Sequence, residues 1–255
     1  MSFKHKIIIK KDPILLANQA AEIFVANARR SVWKRGRFAV AISGGSTPGR
    51  MHNLLATEPF VHNIPWGKTD IFWVDERCVS HDSNESNYGS AKQDFIDAVP
   101  IPPAQVHFIP ASLSLQASVD NYQKTLNDFF SFESTRPPKF DLIYLGMGSD
   151  GHIASLFPSQ KALDEKERWI VAVKGGNPNV DRISMTIPLL NQARNIVFMI
   201  TGQKKAKTVR AVLEGRKKGL PALKIRPLNG NLVWLLDHEA ASLLSGDLYR
   251  DHIKG

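Results

Sequence analysis

The 255-residue chain contains one cysteine, Cys78, so it cannot close a disulfide on itself, and a reducing, cytoplasmic setting is expected. It also lacks a long apolar run. The N-terminal MSFKHKIIIKKD holds only three consecutive isoleucines, too few for a signal sequence or a membrane span, and the final HIKG matches no lipidation or retrieval signal. No membrane partner is expected. Metal-ligand spacing is missing as well: the histidines at 52, 62, 81, 107, 152 and 238 are scattered, and Cys78 has no cysteine partner. Nor is there a lysine/arginine block of the kind that binds nucleic acid. The basic stretches are short, Lys34-Arg35, Lys204-Lys205 and Arg216-Lys217-Lys218. The formal net charge of +9 therefore reads as a solvated surface or as a field that attracts small anions, phosphates above all.

What is there looks globular: 43% hydrophobic and 22% charged residues, without internal repeat or low-complexity linker. Strand-like and helix-like stretches alternate. Strands are expected at residues 7–9, 38–42, 70–74, 106–109, 142–145, 169–173, 183–185, 196–200 and 232–236. Helices are expected from Asp12-Pro13, an N-cap followed by proline, to near Gly36, and over 48–56, 87–98, 115–130, 203–213 and 238–244. Arg136-Pro137-Pro138 reads as a loop. DIFWV is continuously apolar after its first residue, as in a strand covered on both faces. The alternation predicts an α/β fold with a mostly parallel central sheet flanked by helices, and one domain spanning 1–255.

Ligands in such sheets sit beyond the carboxyl ends of the strands, so the loops that follow strands carry the chemistry. Ser43-Gly44-Gly45-Ser46-Thr47-Pro48 lies between FAVAI and a helix. Its glycines, hydroxyls and helix start suit a phosphate, although a tight turn with Thr47 as N-cap would look the same. Asp75-Glu76-Arg77 follows DIFWV directly and reads as a charged strand-end loop. Arg77 can fork onto a phosphate, or the three charges can form a surface ion-pair cluster.

LGMGSDGHIASLFP, residues 145–158, has the G-x-G-x-x-G spacing of a dinucleotide-binding turn at Gly146, Gly148 and Gly151. The context argues against that use. Pro158 cuts the following helix to about two turns, and the next strand, WIVAV, ends in Lys174 where an acid should hold the ribose. The alternative is that the glycines shape a loop presenting Asp150 and His152, a carboxylate that orients an imidazole for proton transfer. Arg182 in DRISMT and Lys205 in TGQKKAKTV complete the set. A lysine in a helix's first turn opposes the dipole unless an anion offsets it, while Lys204 and Lys207 read as ordinary exposed lysines.

Taken together, AISGGSTP, FWVDERCVSHDSNESNYG, LGMGSDGHIASLFP, DRISMT and ITGQKKA resemble the 6-phosphogluconolactonase family, in the family's order, from about residue 37 to 210. The resemblance implies a Rossmann-like α/β fold shared with glucosamine-6-phosphate deaminases and isomerases. It also implies hydrolysis of 6-phospho-D-glucono-1,5-lactone without metal or organic cofactor. In the deaminase branch a catalytic glutamate stands five residues after the histidine of the D-G-H triplet, and here that position is Phe157. The expected roles are His152 as general base, Asp150 as its support and Asp75 as a holder of a sugar hydroxyl. The phosphate is expected among Ser43, Gly44, Gly45, Ser46, Thr47, Arg77, Arg182 and Lys205. A deaminase-like isomerase and a non-catalytic sugar-phosphate sensor are the alternatives. A small-molecule lactone is the expected partner, and the chain is expected as a monomer or weak homo-oligomer.

Overall fold

The computed structural model describes residues 5–130, 138–246 and 248. Residues 136 and 137 of the expected loop, residues 1–4 and the final four residues lie outside the described residues.

The chain opens with β1 (His5–Lys10) and α1 (Pro13–Arg35). The Asp12 carboxylate caps α1 by accepting from Ile14 N and Leu15 N, and Gly36 closes it in a left-handed conformation with its N–H on the Val32 carbonyl. One face of the helix, Leu16, Ala20, Phe24 and Ala28, is fully buried. The small alanines let the helix lie close to the sheet, and Phe24 meets Phe38 edge to face at 5.2 Å.

Then come β2 (Phe38–Ile42), α2 (Ser46–Leu55), β3 (Thr69–Trp73), β4 (Asp75–Arg77), α3 (Asn87–Asp94), β5 (Val106–His107), α4 (Leu115–Phe130) and β6 (Leu142–Leu145). The second half holds β7 (Ile170–Gly175), β8 (Val180–Met185), α5 (Ile187–Leu190), β9 (Asn195–Ile200), α6 (Ala206–Leu213), β10 (Asn231–Asp237) and α7 (His238–Ala241). Seven strands form a wholly parallel sheet in the order β1-β10-β9-β6-β2-β3-β5. The chain runs outward from β2 through β3 to β5, then returns to the other side of β2 with β6. The loops leaving β2 and β6 therefore diverge, and the crevice between them is the topological switch point. The strands β2 and β6 are buried at every position, as expected for a sheet covered on both faces.

A second, three-stranded antiparallel sheet, β4-β8-β7, sits beside the first. It corrects the expected Asp75-Glu76-Arg77 loop. After Trp73 the chain stays extended and changes sheets at Val74, whose N–H bonds the Ile42 carbonyl while its own carbonyl accepts from Met185 N. Tyr122 Oη bonds both the N–H and the carbonyl of Trp73 at that junction. WIVAV likewise belongs to an antiparallel hairpin rather than to the next parallel strand of a dinucleotide unit.

Other boundaries shift for local reasons. The helix expected to reach residue 98 ends at Asp94, where Phe95 leaves helical geometry and buries its ring against Trp66 and His52. The strand at 106–109 stops after His107 because Phe108 turns out to stack on Tyr88. The stretch 203–213 divides into a 3₁₀ turn, Gln203–Lys205, and α6, and the last helix keeps one turn. Among the described residues no helix is long and apolar enough to cross a membrane.

Candidate active site

The ends of β2, β6 and β9 open into one cavity of ≈ 240 Å³ at the switch point. Residues Ser43 to Thr47, Asp75, Arg77, His152, Arg182 and Lys205 all line it, and Asp150 stands just behind His152. Every expected site residue is thus brought to one place.

The floor comes from β2 and α2. The helix starts at Ser46 with Gly45 as N-cap, so Thr47 lies in the first turn and is not the cap. No side chain caps this end. Its first amide N–H groups have no intrahelical acceptor and provide a partial positive charge toward the cavity. Thr47 Oγ1 pairs with Thr201 Oγ1 at 2.8 Å, and Ser43 Oγ donates to the Tyr144 carbonyl at 2.9 Å, tying the loop to β9 and β6. Gly44 is required by a close approach: a Cβ there would fall 1.9 Å from Asn87 Oδ1.

Strand alternation builds the basic wall. Asp75 and Arg77 point one way along β4, into the cavity, and Glu76 points the other way into the protein, fully buried. Arg77 stands directly opposite Arg182 in the β4–β8 register. Like charges facing across a strand pair repel. Among the described residues neither makes a hydrogen bond to a carboxylate: Arg182 Nε donates to the Gly175 carbonyl at 2.7 Å and Arg77 Nη1 to the Glu85 carbonyl at 2.6 Å. Arg77 Nε is buried without a partner. Burial, then the charge of Arg77, push the Arg182 guanidinium below its usual range against the pull of Asp75, Glu85 and Glu76. A guanidinium does not give up its proton under these conditions, so the pair is a concentrated positive site that an anion would relieve. Asp75 is 6% exposed, and its Oδ2 accepts from Ser155 Oγ at 2.6 Å.

The glycine-rich loop makes the third wall. Gly148 N–H bonds the His152 carbonyl at 2.8 Å and Gly151 N–H the Gly148 carbonyl at 3.0 Å, closing a tight turn. Inside it, His152 Nδ1 and Asp150 Oδ1 are 2.6 Å apart, and the same oxygen accepts the His152 backbone N–H at 3.1 Å. A Cβ on Gly148 would sit 2.1 Å from His152 Nδ1 and 2.4 Å from Asp150 Oδ1, so glycine at this position leaves the room in which the two side chains meet. Partial burial raises the Asp150 carboxyl, but the His152 backbone N–H, charge and ring hydrogen bond outweigh it and hold it below the ordinary carboxylate range. In the neutral imidazole, donation from Nδ1 to Asp150 leaves the Nε2 lone pair free. The short helix expected before Pro158 does not form: Gly151 and Ala154 take positive φ, which a right-handed helix excludes, and Ile153 and Leu156 bridge to each other with their side chains buried. Phe157 then lies with its ring 4.8 Å from the imidazole and 5.6 Å from Arg182 Cζ, filling the space between base and cation.

Lys205 ends the 3₁₀ turn after β9. Burial lowers its ammonium, and the charge of Asp150 partly offsets this. Among the described residues that ammonium has no hydrogen-bond partner, whereas Lys204 and Lys207 are exposed as expected.

Sequence reasoning gave Glu76 no role of its own beyond the charged triplet, and it singled out neither Asn87 nor Thr201. Glu76 accepts from the N–H groups of Arg77, Asn87 and Tyr88 and from Ser86 Oγ, so one carboxylate folds the 77–88 segment around itself. Burial nevertheless raises its carboxyl above the usual range, ahead of those hydrogen bonds. Asn87 Nδ2 then donates to the Asp75 carbonyl at 2.8 Å. Thr201 was findable: it follows β9 as Ser43 follows β2. Among the described residues no group of three or more His, Cys, Asp or Glu is placed to hold a metal ion.

Comparison with known proteins adds an independent line. The family model described as glucosamine-6-phosphate isomerases/6-phosphogluconolactonase matches residues 11–234. The chain is 36% identical over 248 residues to a probable 6-phosphogluconolactonase 1 of Oryza sativa subsp. japonica, covering 92% of this chain and 83% of the relative. It is 37% identical over 242 residues to a 6-phosphogluconolactonase of Synechocystis sp., covering 93% and 97%. Among solved structures, 6-phosphogluconolactonase from Trypanosoma brucei superposes with a TM-score of 0.87 at 29% identity, over 96% of this chain and 100% of that one. A parallel sheet with its switch point between β2 and β6, and a family match extending over nearly all of that sheet, place this chain in the glucosamine-6-phosphate isomerase/6-phosphogluconolactonase family.

Proposed function

We propose that the chain hydrolyses 6-phospho-D-glucono-1,5-lactone to 6-phosphogluconate, the second step of the oxidative pentose phosphate pathway. The observation that carries this reading is that an aspartate-supported imidazole and a facing arginine pair, hydrogen-bonded to carbonyls rather than to carboxylates, line the same cavity. The curated relatives that bear the lactonase name support it.

In this mechanism Arg77, Arg182, Lys205 and the open end of α2 hold the phosphate, and the far end of the sugar meets His152. Nε2 takes a proton from water, whose oxygen bonds to C1 of the lactone. The carbonyl electrons move onto oxygen and return as the bond from C1 to the ring oxygen breaks. The imidazolium gives its proton to that ring oxygen, so the net change is addition of one water. Asp150 stabilises the imidazolium, and Asp75 holds a sugar hydroxyl. Acid–base help of roughly 10²–10⁴-fold, added to positioning, suits a lactone that is already reactive.

Phe157 argues against amine chemistry, because a ring wedged between His152 and Arg182 stands where the deaminase branch has its carboxylate. The test is a lactone-hydrolysis assay corrected for spontaneous opening. No turnover above background, with 6-phosphogluconate still bound, would assign the chain to the sensor class. A single domain, a cytoplasmic setting and a monomer or weak homo-oligomer belong to the same reading. The first is supported by one buried cluster running from Ile7 to Leu244.

A further inference from the structure

At the opposite end of the sheet, beneath the starts of β6, β9 and β10, lies a second cavity of ≈ 220 Å³. Arg30, Lys34 and Arg35 from the last turns of α1 line it together with Arg194, Asn195 and Asn231. The acid within reach of its arginines is Asp141, and that carboxylate is already committed. Its Oδ1 is 2.7 Å from Arg35 Nη2 and 3.2 Å from Arg194 Nε, and its Oδ2 accepts the Ala39 N–H at 3.0 Å. Arg194 Nε is buried and has no aligned hydrogen bond. Among the described residues, Arg30 and Lys34 have no hydrogen bond or ion pair. The asparagine floor is fixed, since Asn195 Nδ2 donates to Asn27 Oδ1 and the Asp141 carbonyl, and Asn231 Nδ2 donates to Asn195 Oδ1.

Lys34 and Arg35 complement the carboxyl end of α1, which accounts for basic residues there but not for their convergence with Arg194 on one concavity. Four cations converge on a space nearly the size of the catalytic cavity, and the one buried carboxylate beside it pairs with only two of them, Arg35 and Arg194. We propose that this cavity is a second anion site, which takes a di- or triphosphate chain. Such a chain sets several negative charges within a few ångströms of one another, matching the cluster, and its oxygens suit guanidinium forks and amide N–H donors. Trp33 lies outside the cavity lining but is 82% exposed with its ring 6.0 Å from Lys34 Nζ, so it offers a stacking surface to a base that extends from the cavity past Lys34.

The second cavity is independent of the catalytic one, since neither Arg30 nor Lys34 lines the latter. Its test is calorimetric titration at about 0.15 M ionic strength, where weak surface attraction is screened. Inorganic tripolyphosphate and a metal-free nucleoside triphosphate are titrated separately, with saturating 6-phosphogluconate filling the catalytic cavity. One site is expected on the native chain and on Arg182→Ala. The Arg30→Glu/Lys34→Glu variant should lose at least about tenfold in affinity, with kcat and KM for the lactone unchanged. Tighter binding of the nucleotide, with Trp33 fluorescence quenched, supports the site with a nucleotide as its source. Equal affinity supports it with free polyphosphate as the source. No binding to the native chain, or equal binding to the charge-reversed variant, overturns the proposal.

Discussion

His152 and Asp150 are two residues apart, and their side chains meet at 2.6 Å inside a turn closed by its own backbone. Arg77 and Arg182 lie far apart in the chain and face each other only because β4 leaves one sheet and pairs with β8 in another. The first wall is local, made of glycines that permit a tight turn and a histidine that is hydrogen-bonded as soon as the turn forms. The second wall is topological, and its charges repel unless an anion separates them. A local wall should fail by losing chemistry while the rest of the molecule stands. A topological wall should fail by losing binding, and its supports by losing stability.

The largest expected effect is on the local wall. His152→Ala should lower kcat by roughly 10²–10⁴-fold and leave KM nearly unchanged. A fall of less than about tenfold would remove His152 as the base. Gly148→Ala should act in the same direction through the backbone, because its new methyl occupies the place of the His152 ring.

On the other wall, Arg182→Ala should raise KM by about 10–100-fold, the loss of one or two charge-assisted hydrogen bonds, with the smaller effect on kcat. Lysine should rescue only partly, because it lacks the fork that holds the Gly175 and Pro178 carbonyls and a phosphate at once. An unchanged KM would take Arg182 out of the phosphate site.

Glu76→Gln tests the support beneath that wall. An amide cannot accept from three backbone N–H groups and a hydroxyl as a carboxylate does, so unfolding should become easier by about 1–3 kcal/mol. An unchanged melting temperature would mean that the carboxylate is not the organiser of residues 77–88.

The smallest effect lies outside both walls. Burial holds the His52 imidazole below 6.5, against the upward pull of Asp94. Between the folded value and 6.5 the unfolded chain binds the extra proton and the folded chain does not, so stability falls as pH drops through that window. His52→Leu should flatten this slope in melting temperature between neutral and mildly acid pH. Parallel curves for the two proteins would refute it.

How much of this was legible follows the same division. FAVAI, DIFWV and NIVFMI announced buried parallel strands because a strand covered on both faces is apolar at nearly every position. GMGSDGH announced a special turn because its glycines and its chemistry lie together in the chain. DER gave no sign of being a strand: three successive charges look like a turn until β8 arrives with a register that buries Glu76 and turns Asp75 and Arg77 into the cavity. The two turns of helix expected before Pro158 failed for the same kind of reason. Gly151 and Ala154 are held at positive φ in a turn that serves the cavity, and two turns make too short a helix to outweigh that.

By itself the sequence determined the α/β class, the parallel sheet and the identity of the side chains that meet at its carboxyl edge, because periodicity, glycine and proline act within a few residues. Tertiary structure alone decided that Arg77 opposes Arg182, that Glu76 is an internal scaffold, that Phe157 separates base from cation, and that Arg30, Lys34, Arg35 and Arg194 share a second cavity. Those arrangements rest on strand register and on the packing of segments remote in sequence, and a contact of that kind leaves no local pattern to read.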